Sequence, residues 1–309
     1  MVAVCVTVLN EFEDARRLVE SLCMQQPVPD ELVVVDGGST DGTVEVLRKG
    51  LAGLDYAQVI EAPGSNIASG RNVAIAATSA NLIAFTDAGI LRSPGWLAAL
   101  VTASDNEPLA AGSFGYVLAA PTTPMESAIG AVGLPLASEI DPAHYPPSSG
   151  SLLIRRQWLE RVGGYPEWLD FGEDLWLDRR VWAQGSWFVH ASGANVFIRP
   201  RSDVASFFRQ YFNYARGDGQ ARMLGKRHLL RFAAYGFVFL TLRRLTWGRM
   251  MVLVLMGCRY MSRPWARARH GQVVGSRAMV VGLVPIVRVI GDWAKLAGYI
   301  AGLWQRARS

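Results

Sequence analysis

Through its first ninety residues the chain alternates short apolar runs of strand composition with segments of helical spacing. "VAVCVTVL", "LVVVD", "AQVIEA" and "NLIAFTD" are the runs; "EDARRLVESLC", with Ala15, Leu18, Val19 and Leu22 on one face, and "ASGRNVAIAATSA" lie between them. Alternation at the spacing of βαβ units predicts an α/β fold with a mostly parallel sheet covered by helices. In such a sheet ligands bind beyond the carboxyl ends of the strands. Asp36 and Asp87 both stand at such ends. After Asp36 two glycines give a turn, and Ser39 or Asp41 can cap a helix beginning near Thr43.

At 309 residues and 50% hydrophobic, with 18% charged, the chain is long enough for one large α/β domain and an appended segment, and too apolar for disorder. Three cysteines without a CxxC spacing indicate neither a disulfide framework nor a zinc site, which fits a reducing compartment. The amino terminus reads as a first strand and not a signal peptide. The net charge of +5 hides an asymmetry: residues 1–200 hold 12 Lys and Arg against 23 Asp and Glu, whereas residues 201–309 hold 19 against 3.

Residues 108–150, rich in Pro, Gly, Ser and Thr, read as an irregular, substrate-facing excursion. Beyond them "SLLIRR" suggests a strand, "QWLERV" a short helix and "EDLWLDRRVWAQG" a helix closed by Gly185. His190, in the aromatic "SWFVHASG", reads as a packed histidine. In "DVASFFRQYFNYARGDG", Val204, Phe207, Phe208, Tyr211, Phe212 and Ala215 share a helical face, with Asp203 as cap and Gly217 as stop. The apolar blocks at 232–242, 250–258 and 278–287 fall short of the roughly 18 uncharged residues of a spanning helix. They are edged with Arg and Trp, and Arg288, Asp292 and Lys295 fall on a common face. This pattern predicts helices lying in a membrane interface, favoured by anionic lipid; the competing expectation is an ordinary helical core. The domains expected are 1–217 and a basic apolar region 218–309.

"VTVLNE", "LVVVDGGSTDGT", "GRNVAIAATSANLIAFTDAG" and "VGGYPEWLDFGEDLWLDRRVWAQG" occur in the order seen in family 2 glycosyltransferases of the GT-A fold, and over roughly residues 2–217 the chain resembles them. The resemblance implies that Asp36 holds the nucleotide, with Leu9, Asn10 and Glu11 flanking the base; a plain turn at Asp36-Gly37-Gly38 is the alternative. Arg71, with Asn72 at a helix start after Gly70, is a candidate for the diphosphate or for a surface salt bridge. Family members carry Asp-x-Asp where this chain has Asp87-Ala88-Gly89. One acid suffices for a divalent cation, Mg or Mn, when phosphates and waters complete the shell. Alternatively Asp87 binds sugar hydroxyls, and arginines such as Arg71, Arg199, Arg201 or Arg216 neutralise the phosphate. Asp174 takes the role of general base and Glu173 orients it or binds the acceptor, helix capping being the rival reading for one of the two. Trp168 is placed to stack on an acceptor sugar.

The implied activity is that of an inverting glycosyltransferase moving a sugar from a nucleotide-diphosphate sugar to a lipid-linked or polysaccharide acceptor at the cytosolic face of the membrane. No nucleic acid partner is expected. The alternative is a catalytically inactive nucleotide-sugar-binding or scaffold protein on the same fold, since the Asp87 motif is abbreviated.

Overall fold

The structure is a computed structural model, and it describes residues 1–243 and 246–308; Arg244 and Leu245, in the "RRLTWGR" separator between two apolar blocks, and Ser309 lie outside the described residues. The chain folds into two compact units, Met1–Leu118 with Ala137–Ile198, and Ala119–Leu136 with Arg199–Ser309.

The first unit begins with β1 (Val2–Val8), α1 (Phe12–Cys23), β2 (Glu31–Asp36), α2 (Thr43–Leu51), β3 (Ala57–Glu61), α3 (Ile67–Ala76) and β4 (Leu82–Asp87). These are the expected strands and helices. The short β5 (Ile90–Leu91), α4 (Trp96–Asn106), β6 (Gly112–Phe114) and β7 (Val117–Ala119) follow. The chain then forms α5 (Pro124–Gly133) of the second unit and returns as β8 (Leu152–Arg155), α6 (Arg156–Val162), α7 (Glu173–Ala183), β9 (Phe188–His190) and β10 (Val196–Ile198). Seven strands form one sheet in the order β3-β2-β1-β4-β8-β6-β9. Its first four are parallel, and β8 runs antiparallel to both β4 and β6.

Strand side chains alternate, and β1 shows the consequence: Val4, Val6 and Val8 join a core with Leu18, Leu22 and Leu47 of α1 and α2, whereas Ala3 and Cys5 join one with Phe85, Ile154, Leu159 and Leu177. Burial of both faces is what the near-continuous apolar runs require. Each fully buried Leu of α1 contributes about 1.5–3 kcal/mol. The register fixes the acids. Asp36 lies opposite Val8 and Asp87 opposite Thr7, so both leave the same edge of the sheet, two strands or about 10 Å apart.

The second unit adds α8 (Val204–Gln220), α9 (Gly225–Leu242), α10 (Trp247–His270) and α11 (Arg277–Arg306) to α5. Two readings of the sequence need correction here. Residues 108–150 are not wholly irregular, because Thr123 caps α5 by accepting from the Glu126 amide and Pro124 pre-sets its first turn. Gly217 does not stop α8, which runs three residues further under the Asp203 cap. Glycines let α8 and α11 pack closely: Cβ atoms at Gly219 of α8 and at Gly298 and Gly302 of α11 would collide with the backbone at Tyr299, Phe212 and Arg216. A boundary at 217 therefore falls inside a helix; the compact units part at Ile198 and Arg199.

Candidate active site

Asp87 ends β4, Arg71 lies in the second turn of α3, and Glu173 and Asp174 open α7. The helix α3 starts at Ile67 under an Asn66 cap, four residues before Arg71, and Gly70 lets it press on Thr7 of β1. Asn72 then clamps α3 to the following loop: its amide donates to the Tyr165 carbonyl and its oxygen accepts from the Tyr165 amide, both at 2.9 Å. That clamp delivers Arg71 to the mouth of α7.

The Arg71 side chain is 3% exposed and is shared by three acids. Its Nη1 donates to Glu173 Oε1 and Asp174 Oδ1, each at 2.8 Å, and its Nη2 to Asp87 Oδ1 at 3.1 Å. Burial alone would lower its pKa, but Asp174, Asp87 and Glu173 outweigh that and raise it well above the usual value. The guanidinium also lies 5.2 Å from the centroid of the Tyr165 ring. Neither reading of Arg71 as a surface salt bridge nor as an open fork for a diphosphate matches this geometry, because the fork is filled by carboxylates.

The acids differ in access. Glu173 is buried, and burial together with Asp174 pushes its carboxyl up to about 7 against the pull of Arg71. Asp174 is 25% exposed and accepts from Ser149 Oγ (2.6 Å) and the Ser149 amide (3.1 Å) besides Arg71, with Ser148 Oγ at 3.4 Å. Tyr165 OH meets Ser149 Oγ at 2.6 Å, which closes the ring of contacts. Asp87 is 37% exposed. Its carbonyl is held by Arg92, whose own pKa burial lowers to about 10. Its Oδ2 accepts no hydrogen bond from the described residues.

At Gly89, where a second acid is missing, a Cβ would stand 3.6 Å from Asp14 Oδ2 of α1, an ordinary contact distance. No group of three or more metal-ligating side chains occurs among the described residues. The donor set therefore fits a divalent cation only in the mode where one carboxylate shares it with phosphates and waters.

Asp36 is buried, and its Oδ1 accepts from the Gly38 and Ser39 amides at 2.9 and 2.8 Å while Oδ2 takes the Ser39 hydroxyl. It builds the turn. Asn10, at φ 54°, anchors the same loop by accepting from the Thr40 amide at 3.0 Å, and the Glu11 amide donates to Thr43 Oγ1. Leu9 is exposed beside Gly37. These residues form a rim at the carboxyl end of β1 and β2, set apart from the acid cluster. Trp168 is exposed on the loop before α7. Arg216 belongs to α8 in the second unit, and there Arg199 pairs with Glu126 at 2.8 Å. His190 stacks on Tyr116 with centroids 3.8 Å apart, a packed histidine as expected.

Sequence reasoning passed over Ser148, Ser149 and Tyr165. Tyr165 sits inside "VGGYPE", a stretch quoted above for its resemblance, and that was the available signal.

The family model described as glycosyl transferase family 2 matches residues 3–160, just over half of the chain. The chain belongs to that family, and it is a glycosyltransferase of the GT-A fold with a C-terminal helical region. It is 26% identical over 253 residues to the succinoglycan biosynthesis protein ExoA of Rhizobium meliloti, covering 75% of this chain and 74% of that one. Glycosyltransferase AglE of Haloferax volcanii is 25% identical over 240 residues, covering 75% and 78%. Among solved structures, the mannosyltransferase PcManGT from Pyrobaculum calidifontis, in complex with GDP-Man and Mn2+, matches with a TM-score of 0.66 at 18% identity, over 98% of this chain and 87% of that one. At that identity the likeness speaks for the fold.

Proposed function

We propose that the chain is an inverting transferase that moves a sugar from a nucleotide-diphosphate sugar to a glycan or lipid-linked acceptor. The observation that carries this reading is that Arg71 gathers Asp87, Glu173 and Asp174 at the mouth of the sheet and leaves two of the three reachable from solvent. Asp174 is the general base. It takes the proton of the acceptor hydroxyl as that oxygen bonds to the anomeric carbon and the bond to the diphosphate breaks, so the nucleoside diphosphate departs from the opposite face. Glu173, too buried to reach an acceptor, holds Arg71 and through it Asp174. Ser149 and Tyr165 orient the base.

The rim at Leu9, Asn10 and Glu11, on the turn built by Asp36, is the proposed seat of the nucleotide. Asp87 would hold a divalent cation, Mg or Mn, through Oδ2; bound, the cation supplies charge neutralisation for the departing diphosphate. The named ligands of PcManGT, GDP-Man and Mn2+, support a donor and a metal of this kind.

The proposal extends to the cytosolic face of a membrane. Large apolar side chains stand exposed along α9 and α10, among them Phe239, Leu240, Trp247, Val254 and Leu255, in the part of the chain that carries the positive excess. No described helix is long and apolar enough to cross a membrane. Contact at the surface is therefore the mode proposed.

NMR of the product tests the reaction. A single displacement gives an anomeric configuration opposite to that of the donor; retention would exclude a single in-line displacement and would sink the assignment.

A further inference from the structure

The second unit contains a cavity of about 1370 Å³ lined by α5, α8, α9, α10 and α11. Seven cationic side chains line it: Arg227 and Arg231 from α9, Arg259, Arg263 and Arg267 from α10, and Arg288 and Lys295 from α11. Among the described residues one acid, Asp218, lines the cavity and a second, Asp292, pairs with one of its arginines; both are engaged. Asp218 accepts from His228 at 3.0 Å. Asp292, fully buried, accepts from Arg231 Nε and Tyr235 OH, each at 3.1 Å, and from Tyr260 OH.

Lys295 has as its neighbour the face of Tyr211, 4.4 Å from the ring centroid, and no carboxylate among the described residues forms a salt bridge with it. Burial lowers its pKa to about 7, Asp292 opposing and Arg231, Arg288 and Arg227 adding to the fall. Arg288 lies over the Tyr260 ring at 4.5 Å, and its buried Nε has no hydrogen-bond partner among the described residues. Removing cations from water without anions is costly, so a surplus of this kind is stable only when something negative completes it. Arginine forks beside a lysine suit the oxygens of a phosphate.

Much of the rest of the wall is apolar. Val238, Leu253 and Met261 line the cavity, and Leu230, Leu255 and Met256 combine lining it with exposure at the surface. The volume far exceeds a phosphate and lies above the roughly 300–1,000 Å³ of pockets that enclose drug-sized ligands.

We propose that this cavity binds an amphiphile with a phosphate or diphosphate head on an apolar chain, the head held by Lys295 and Arg288 and the chain laid along α9 and α10. That the bound amphiphile is the acceptor rests on the transferase reading above; the existence of the site does not.

The test is equilibrium binding to the full chain in mild detergent, with farnesyl diphosphate, farnesol and inorganic pyrophosphate as probes and no sugar donor present. Farnesyl diphosphate is expected to bind at least tenfold more tightly than either of the others. Lys295→Gln and Arg288→Gln are each expected to weaken it about tenfold. Because Lys295 is buried without a salt bridge among the described residues, Lys295→Gln is also expected to leave the ligand-free melting temperature unchanged or raised; Arg288→Gln is the second variant should the first misfold. Equal affinity for pyrophosphate would assign the cavity to a free anion and overturn the amphiphile. Equal affinity for farnesol, or indifference to both substitutions, would overturn the charged seat. A chain that binds farnesyl diphosphate yet transfers no sugar contradicts the transferase reading and upholds the site.

Discussion

The two units build their charged centres with opposite sign. In the first, one buried arginine serves three carboxylates; in the second, one buried aspartate, Asp292, serves an arginine and two tyrosines beside Lys295, which pairs with no carboxylate among the described residues. The same device, a lone counter-charge holding several groups by hydrogen bonds, thus leaves one centre with spare acceptors and the other with spare donors. Spare acceptors suit proton removal, and spare donors suit the capture of an anion. The uneven split of acidic and basic residues along the chain is this difference seen at low resolution.

Removing the counter-charge in either unit is the strongest way to break the comparison. Arg71→Ala leaves three acids without their shared partner, and a loss of about 3–5 kcal/mol in urea unfolding is expected, with transfer abolished. Asp292→Ala orphans Arg231 and two tyrosine hydroxyls among like charges, for an expected loss of about 3 kcal/mol. Stability unchanged in either variant would show that the centre is not held together as described.

A smaller effect sharpens the picture. Asp178, one turn after Asp174 on α7, is fully buried, neither oxygen has a partner among the described residues, and burial followed by Asp174 raises its pKa well above the ordinary 3.8. It belongs to neither centre. The native chain takes up a proton there that the unfolded chain releases, so this group makes stability fall as pH rises above about 4. Asp178→Leu is expected to stabilise the chain by about 1–2 kcal/mol at pH 8, with the gain shrinking toward pH 4. A loss of stability at pH 8 would mean that the carboxyl has a role the contacts do not reveal.

The sheet was legible in the sequence because periodicity is local: apolar runs ending in acids, with helical spacings between, leave few arrangements, and Asp36 and Asp87 emerge at one edge as expected. The cluster was only half legible. Each acid was found singly, but their meeting through Arg71 depends on the Asn72 clamp between α3 and the loop at Tyr165, and contacts across 93 residues leave no local signal. Ser149 escaped notice because serine in a turn is ordinary. In α11 the spacing of Arg288, Asp292 and Lys295 was read correctly as one face, and Arg288 and Lys295 of that face line a cavity. Spacing fixes which residues share a face; packing by α9 and α10 decides where the face looks. Gly217 misled for a related reason, since a buried glycine inside a helix is indistinguishable in sequence from one that ends a helix.

The most direct measurement is of Asp174→Asn, with donor affinity by calorimetry and turnover determined on the same preparation. The account predicts turnover lowered about 10²–10⁴-fold with donor affinity within about twofold of the parent. Turnover at the parent level, or a loss of donor affinity as large as the loss of turnover, would contradict it.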